Sequence, residues 1–108
     1  MDIIVRVIDH FGDVGVAWRL ALTLKKESPN EPIRLLTDDS SHFDWLVAPE
    51  ERALIEIISF KNIPPQSFSF SSIIIESLGC RIPEDLRDMA YQTAQIIIHL
   101  EALSAEPW

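Results

Sequence analysis

Short apolar runs alternate along this chain with segments whose apolar residues recur every three or four positions. "DIIVRVID" (residues 2–9) is rich in β-branched side chains and reads as a buried strand. Residues 16–26 follow, with Val16, Leu20 and Leu24 beside Trp18, Ala21 and Leu22 at helical spacing, and Pro29 and Pro32 close that helix. "PIRLLTDD" reads as a second strand. Ser40 or Ser41 is placed to cap a short helix through "HFDWLVA", where Asp44 adds favourable charge to the first turns. "ALIEIISF" is a third strand, "KNIPPQSFSFS" a loop by its prolines and serines, and "SSIIIESL" a fourth strand. "IPEDLRDMAYQ" has the proline and acids of a helix start, and "AQIIIHLEALS" supplies a fifth strand.

Strands spaced by helices predict an α/β fold: a Rossmann-like, mostly parallel sheet with flanking helices on both faces. Right-handed crossovers give the expected order 3-2-1-4-5. In such sheets ligands bind beyond the carboxyl ends of the strands, near the switch point between strands one and four. Residues 9–15, 76–80 and 101–105 are all expected to converge there.

The chain has 108 residues, room for one domain and a modest core. Its 17 acidic and 9 basic side chains leave a net charge of −8, which disfavours a broad nucleic-acid-binding surface. The adjacent Lys25 and Lys26 end a helix, where cations favour the dipole. Cys80 is the single cysteine, so no internal disulfide forms. Met1-Asp2 opens directly on "IIVRVI", too short to span a membrane and without a basic lead, so a cytoplasmic address and no membrane partner are expected. The ending "SAEPW", just past a strand, reads as a truncation.

The chemistry concentrates in "VIDHFGDVGVAWRLA" (residues 7–21). A strand, a glycine-containing turn and a helix suggest a phosphate cradle. The dinucleotide fingerprint needs three glycines, however, and here only Gly12 and Gly15 occur. Asp38 or Asp39 stands where a ribose-binding acid would, but Asp9 and Asp13 would confront the pyrophosphate, and like charges repel strongly in a dry site. The two acids suit a positive ligand instead: a cation, or a guanidinium held bidentately, or a division of labour as base and orienter. The bland alternative is that Asp9 ties the turn's amides while Asp13 caps the helix. His10 is a turn residue without a visible partner. His42 reads as a surface-helix residue and His99 as a satisfied core histidine, so the three histidines make no metal site. Trp18 and Trp45 read as packing residues. Glu76 and Glu101 end apolar strands, an unusual place for an acid.

Taken together, these segments resemble the EarP-type bacterial protein-arginine rhamnosyltransferases that modify translation elongation factor P. The "VIDHFGDVGVAWRLA" segment is similar to their N-terminal signature, "LLTDD" to W-T-D-D, "IIIESLGCRIPE" to I-E-x-F-A-C-x-L-P-E, and "HLEALSAEPW" to N-x-E-Y-L-S-A-E-x-W. The resemblance implies a GT-B glycosyltransferase that moves L-rhamnose from dTDP-β-L-rhamnose to an arginine of elongation factor P, with inversion and without a metal or other cofactor. Residues 1–108 would be the N-terminal, acceptor-side lobe of that enzyme, with the donor-binding C-terminal lobe absent. The fragment alone should then be inactive and expose an apolar edge.

By the same resemblance, Asp13 is the general base or guanidinium activator, and Asp9 positions the arginine. His10, Phe11, Gly12 and Gly15 form the acceptor loop, and Glu76 and Glu101 stand behind it. Chemistry agrees, since a guanidinium is a poor nucleophile until carboxylates localise its charge and accept a proton. The departures from the family pattern are His10 for asparagine, Ala17 for a small hydroxyl residue, Leu36 for tryptophan, residues 77–79 for x-F-A, and Ala102 for tyrosine. Two other readings stand beside this one: a stand-alone flavodoxin-like binding module, and the N-terminal lobe of another nucleotide-sugar glycosyltransferase.

Overall fold

The computed structural model describes residues 1–6, 11–41, 43, 47–63, 68–77 and 81–100, with residues 11–14 described by their helical backbone alone. Its strands are β1 (Asp2–Val5), β2 (Arg34–Thr37), β3 (Glu56–Ser59), β4 (Ile73–Glu76) and β5 (Ile96–His99). All neighbours pair in parallel, in the order β3-β2-β1-β4-β5, as the alternating pattern predicts. The helices are α1 (Phe11–Glu27), α2 (Pro49–Arg52) and α3 (Glu84–Thr93), with a 3-10 turn at Phe60–Asn62.

Both faces of the sheet are covered, which explains why the strands read as continuous apolar runs rather than alternating ones. On one face Ile3, Val5, Leu35 and Ile75 pack with Ala17, Trp18 and Ala21 of α1, and with Phe43 and Val47. Trp18 meets Phe43 at 6.1 Å between ring centroids, so its packing role is as expected; Trp45 lies outside the described residues. On the other face Ile4, Leu36 and Ile74 pack with Ile82, Leu86 and Ala90 at α3, and with Ile63 and Phe70. The change of face between α1 and α3 coincides with the β1/β4 neighbourhood, which is the switch point of the doubly wound topology.

One local expectation is corrected. Helix α1 starts at Phe11, not at Val16, so Gly12 and Gly15 are helical residues rather than a turn. The apolar spacing Phe11, Val14, Trp18, Ala21 already runs through them, and two glycines weaken a helix without ending it. After β2, Asp39 Oδ1 accepts the Ser41 N–H at 3.0 Å and the Ser41 hydroxyl at 2.6 Å. Most of the helix expected over 42–48, with its cap at Ser40 or Ser41, lies outside the described residues. A further short helix, α2, follows with Pro49 at its start and Glu50 and Glu51 in its first turn, where both are favoured.

Asp2, the first strand residue, is completely buried and ionically paired. Arg34, its register partner on β2, donates from Nε and Nη2 to the two carboxylate oxygens, each at 2.7 Å. Ser71 completes the shell, donating its N–H at 2.7 Å and its hydroxyl at 2.9 Å. Arg34 also donates to the Ser69 carbonyl at 2.8 Å and lies over the Phe68 ring. One carboxylate thus joins β1, β2 and the chain entering β4.

The far edge is different. Ile97 packs towards α3, whereas Ile96 and Ile98 are 52% and 40% exposed. Ile98 is in register with Ile75, so these two side chains lie on the α1 face beyond the helix's reach. This is the apolar edge expected from the sequence.

Removing the Asp2 carboxylate leaves the Arg34 guanidinium with the Ser69 carbonyl and the face of Phe68, and with no counter-charge among the described residues. Asp2→Ala is expected to lower unfolding stability by about 3–5 kcal/mol, read from the shift of the urea midpoint.

Candidate functional site

The chain leaves β1, β4 and β5 on one edge of the sheet, because the strands are parallel and adjacent. The convergence anticipated for residues 9–15, 76–80 and 101–105 falls largely outside the described residues. Asp9 and His10 lie outside the described residues, as do Cys80 and Glu101. Asp13 falls in the first turn of α1, as the third helical residue, and so is not its N-cap. Phe11 and Gly12 share that turn. The N-terminal turn of a helix is a favourable place for a negative charge.

Gly15 lies one turn further on and is half-buried. A Cβ built there meets only the Arg19 Nη2 atom among the described residues, at 4.0 Å, an ordinary contact. The position therefore does not need glycine for packing. Trp18, on the buried side of the same helix, has an indole N–H without a hydrogen-bond partner among the described residues.

Glu76 ends β4 as a buried acid, beside Ile4 of β1 by register. Its Oε2 accepts the Ile82 N–H at 2.7 Å, which holds the approach to α3 against the strand end. Its Oε1 lies 2.5 Å from His99 Nδ1 and 3.5 Å from Arg81 Nη1. Ser77 ties β4 to β1, donating both its N–H (3.1 Å) and its hydroxyl (2.7 Å) to the Ile4 carbonyl. The expectation for His99 is corrected: its side chain is 52% exposed, on an edge strand, and it meets Glu76 rather than core. An apolar sequence neighbourhood does not bury a residue when its strand has a neighbour on one side only. Sequence reasoning also passed over Arg81, which follows the glycine-cysteine pair and reaches back to Glu76. The spacing of five residues between an acid at a strand end and a basic residue before the next helix was the available signal.

Thr37 and the acids after β2 form a local hydrogen-bonded turn, with Asp39 N–H donating to Thr37 Oγ1 at 3.4 Å and Thr37 Oγ1 to Asp38 Oδ1 at 3.3 Å. Among the described residues no group of three His, Cys, Asp or Glu side chains is arranged to hold a metal ion. None of the described helices is long and apolar enough to cross a membrane.

Against this geometry, comparison with known proteins is decisive for the family. The family described as Elongation-Factor P (EF-P) rhamnosyltransferase EarP matches residues 1–108. The chain belongs to that family. Among curated relatives, a protein-arginine rhamnosyltransferase of Shewanella oneidensis is 31% identical over 99% of this chain. Those of Pseudomonas aeruginosa and Neisseria meningitidis are 28% and 30% identical, over 99% and 94% of the chain. The chain spans 30% of the length of the Shewanella and Pseudomonas relatives and 28% of the Neisseria one. Membership of the family and the parallel α/β sheet agree with the reading of the four sequence segments.

Gly15→Ala is expected to stabilise the fold by about 0.5–1 kcal/mol, because it removes a helical glycine without a clash. Thermal denaturation of the two proteins measures this directly.

Proposed function

We propose that this chain is the N-terminal, acceptor-side lobe of a GT-B protein-arginine rhamnosyltransferase, working in the cytoplasm on an arginine of elongation factor P. The observation that carries the proposal is the family match over all 108 residues, together with two signature acids between β1 and the body of α1. Membership of the EarP family favours this reading over a stand-alone binding module and over a lobe from another nucleotide-sugar enzyme.

Asp13 serves as base or guanidinium activator and Asp9 as the group that positions the arginine. A protonated guanidinium spreads its charge over three nitrogens and has little nucleophilic character. Carboxylate pairing draws that charge to one side, and bidentate hydrogen bonds fix the plane of the group. An arginine nitrogen then attacks the anomeric carbon of dTDP-β-L-rhamnose from the face opposite the nucleotide. The new C–N bond forms as the C–O bond to the diphosphate breaks, dTDP leaves with the electron pair, and the nitrogen's proton passes to Asp13. Attack from the opposite face inverts the anomeric centre.

The donor is held mainly by a C-terminal lobe, so the 108-residue segment alone does not turn over sugar. His10, Phe11, Gly12 and Gly15 frame the acceptor, while Glu76 and Glu101 support the loop from the adjacent strand ends. The buried, hydrogen-bonded state of Glu76 at the end of β4 supports its part of this assignment.

The test is transfer by a full-length protein carrying this segment, read as rhamnosylation of the acceptor arginine by mass spectrometry. Asp13→Asn is expected to lower the rate by about 10²-fold or more, the scale of a lost general base, with the circular dichroism spectrum unchanged. Asp9→Asn is expected to raise KM for the protein acceptor more than it lowers kcat. Near-normal transfer by the Asp13 variant would overturn the base assignment.

A further inference from the structure

At the carboxyl ends of β4 and β5 a depression of about 290 Å³ is lined by Glu76, Arg81, Arg87, Tyr91 and His99. In a chain of net charge −8, it gathers two arginines and a histidine around one carboxylate. Glu76 is its buried floor. One carboxylate oxygen is taken by the Ile82 N–H, and the other is contested by His99 Nδ1 and Arg81 Nη1. These two contestants are themselves 2.5 Å apart.

One ring nitrogen cannot satisfy both neighbours. A guanidinium only donates, so it bonds Nδ1 only when that atom carries no proton. Nδ1 and the Glu76 oxygen would then be two acceptors in contact, which repel. With a proton on Nδ1, the ring donates to Glu76 and turns an N–H towards Arg81. The buried carboxylate decides between these arrangements, because an unmet acceptor there is far more costly than an unmet donor at the surface. The imidazole therefore serves Glu76, and Arg81, whose side chain is 57% exposed and which reaches Glu76 through Nη1 alone at 3.5 Å, keeps its remaining donors for another acceptor. Arg87 is half-buried, and it has no hydrogen-bond or ion-pair partner among the described residues. The exposed Tyr91 adds a hydroxyl donor to the same rim. Among the described residues, donors thus outnumber acceptors around this depression.

We propose that the depression is a carboxylate-binding site, with Arg81 and Arg87 gripping the ligand and Tyr91 donating a third hydrogen bond. A planar monoanion suits it better than a phosphate dianion, since the Glu76 charge on the floor repels the second negative charge. Glu76 and His99 supply two metal-type donors, and no third joins them among the described residues, so a metal site is not favoured. The assignment stands independently of the roles of Asp9 and Asp13. The carboxylate is that of a small acid or of an acidic side chain on a bound polypeptide, and affinity separates these sources.

The test is a titration of the isotope-labelled protein, full chain, at constant ionic strength, following the arginine Nε–Hε and His99 ring signals by NMR. The probes are acetate, N-acetyl-glutamate N-methylamide and inorganic phosphate. Saturable shifts at Arg81 and Arg87 with acetate are expected, weakened about tenfold or more in Arg81→Gln/Arg87→Gln, equivalent to at least 1.4 kcal/mol. Arg87→Gln alone breaks no hydrogen bond or ion pair among the described residues, so it keeps the test open should the double variant unfold. Tighter binding of the capped glutamate than of acetate assigns the site to a polypeptide side chain, and equal binding assigns it to a small acid. Shifts that never saturate, phosphate binding more tightly than acetate, or undiminished acetate binding by the arginine variants would each overturn the proposal.

Discussion

The buried carboxylate of Asp2 receives four hydrogen bonds, two from Arg34 and two from Ser71. An ionised group out of water is tolerated only when its lone pairs are fully met. Meeting them here demands one arrangement: β1 beside β2 in the register Asp2↔Arg34, with the chain entering β4 drawn in from the other side. Because the strands are parallel and of equal length, aligning their amino ends also aligns their carboxyl ends. The clamp and the candidate site therefore sit at opposite edges of the sheet, and the first positions the second without touching it.

The two buried acids of the sheet divide structure from chemistry. Asp2 is fully enclosed and paired with an arginine that has little freedom to leave. Glu76 is buried too, yet its two side-chain partners, Arg81 and His99, stand at the surface and compete for the same oxygen. An acid whose donors are all internal holds a fold together. One whose donors are half exposed leaves cationic groups free to meet something from solution. The edge strand β5 makes this possible, since among the described residues no further strand lies beside His99 and its isoleucine neighbours.

Charge also explains why "VIDHFGDVGVAWRLA" is not a phosphate loop. Helix α1 begins at Phe11, so the acid at position 13 occupies the first helical turn, where a dinucleotide fold would place a phosphate. Carboxylate and phosphate compete for the same field, and the sequence fills that place with the protein's own charge. The guanidinium acceptor proposed above is the complement of that charge.

The linear order of apolar runs and helical periods sufficed to determine the strand number, the order β3-β2-β1-β4-β5 and the parallel α/β class. It did so because the central runs are buried on both faces and each crossover has one favoured hand. The paired acids and the four family-like segments were likewise legible, since they depend on residue type and spacing. Other features were decided only in three dimensions. Asp2 reads as an unremarked acid near the N-terminus until Arg34 and Ser71, 32 and 69 residues away, close around it. His99 reads as core by its apolar neighbours, and becomes half-exposed because its strand ends the sheet. The start of α1 was hidden by two glycines, whose local preference the longer apolar period outweighs. Sequence patterns encode which faces must leave water; which charges then meet depends on distances that only the folded chain creates.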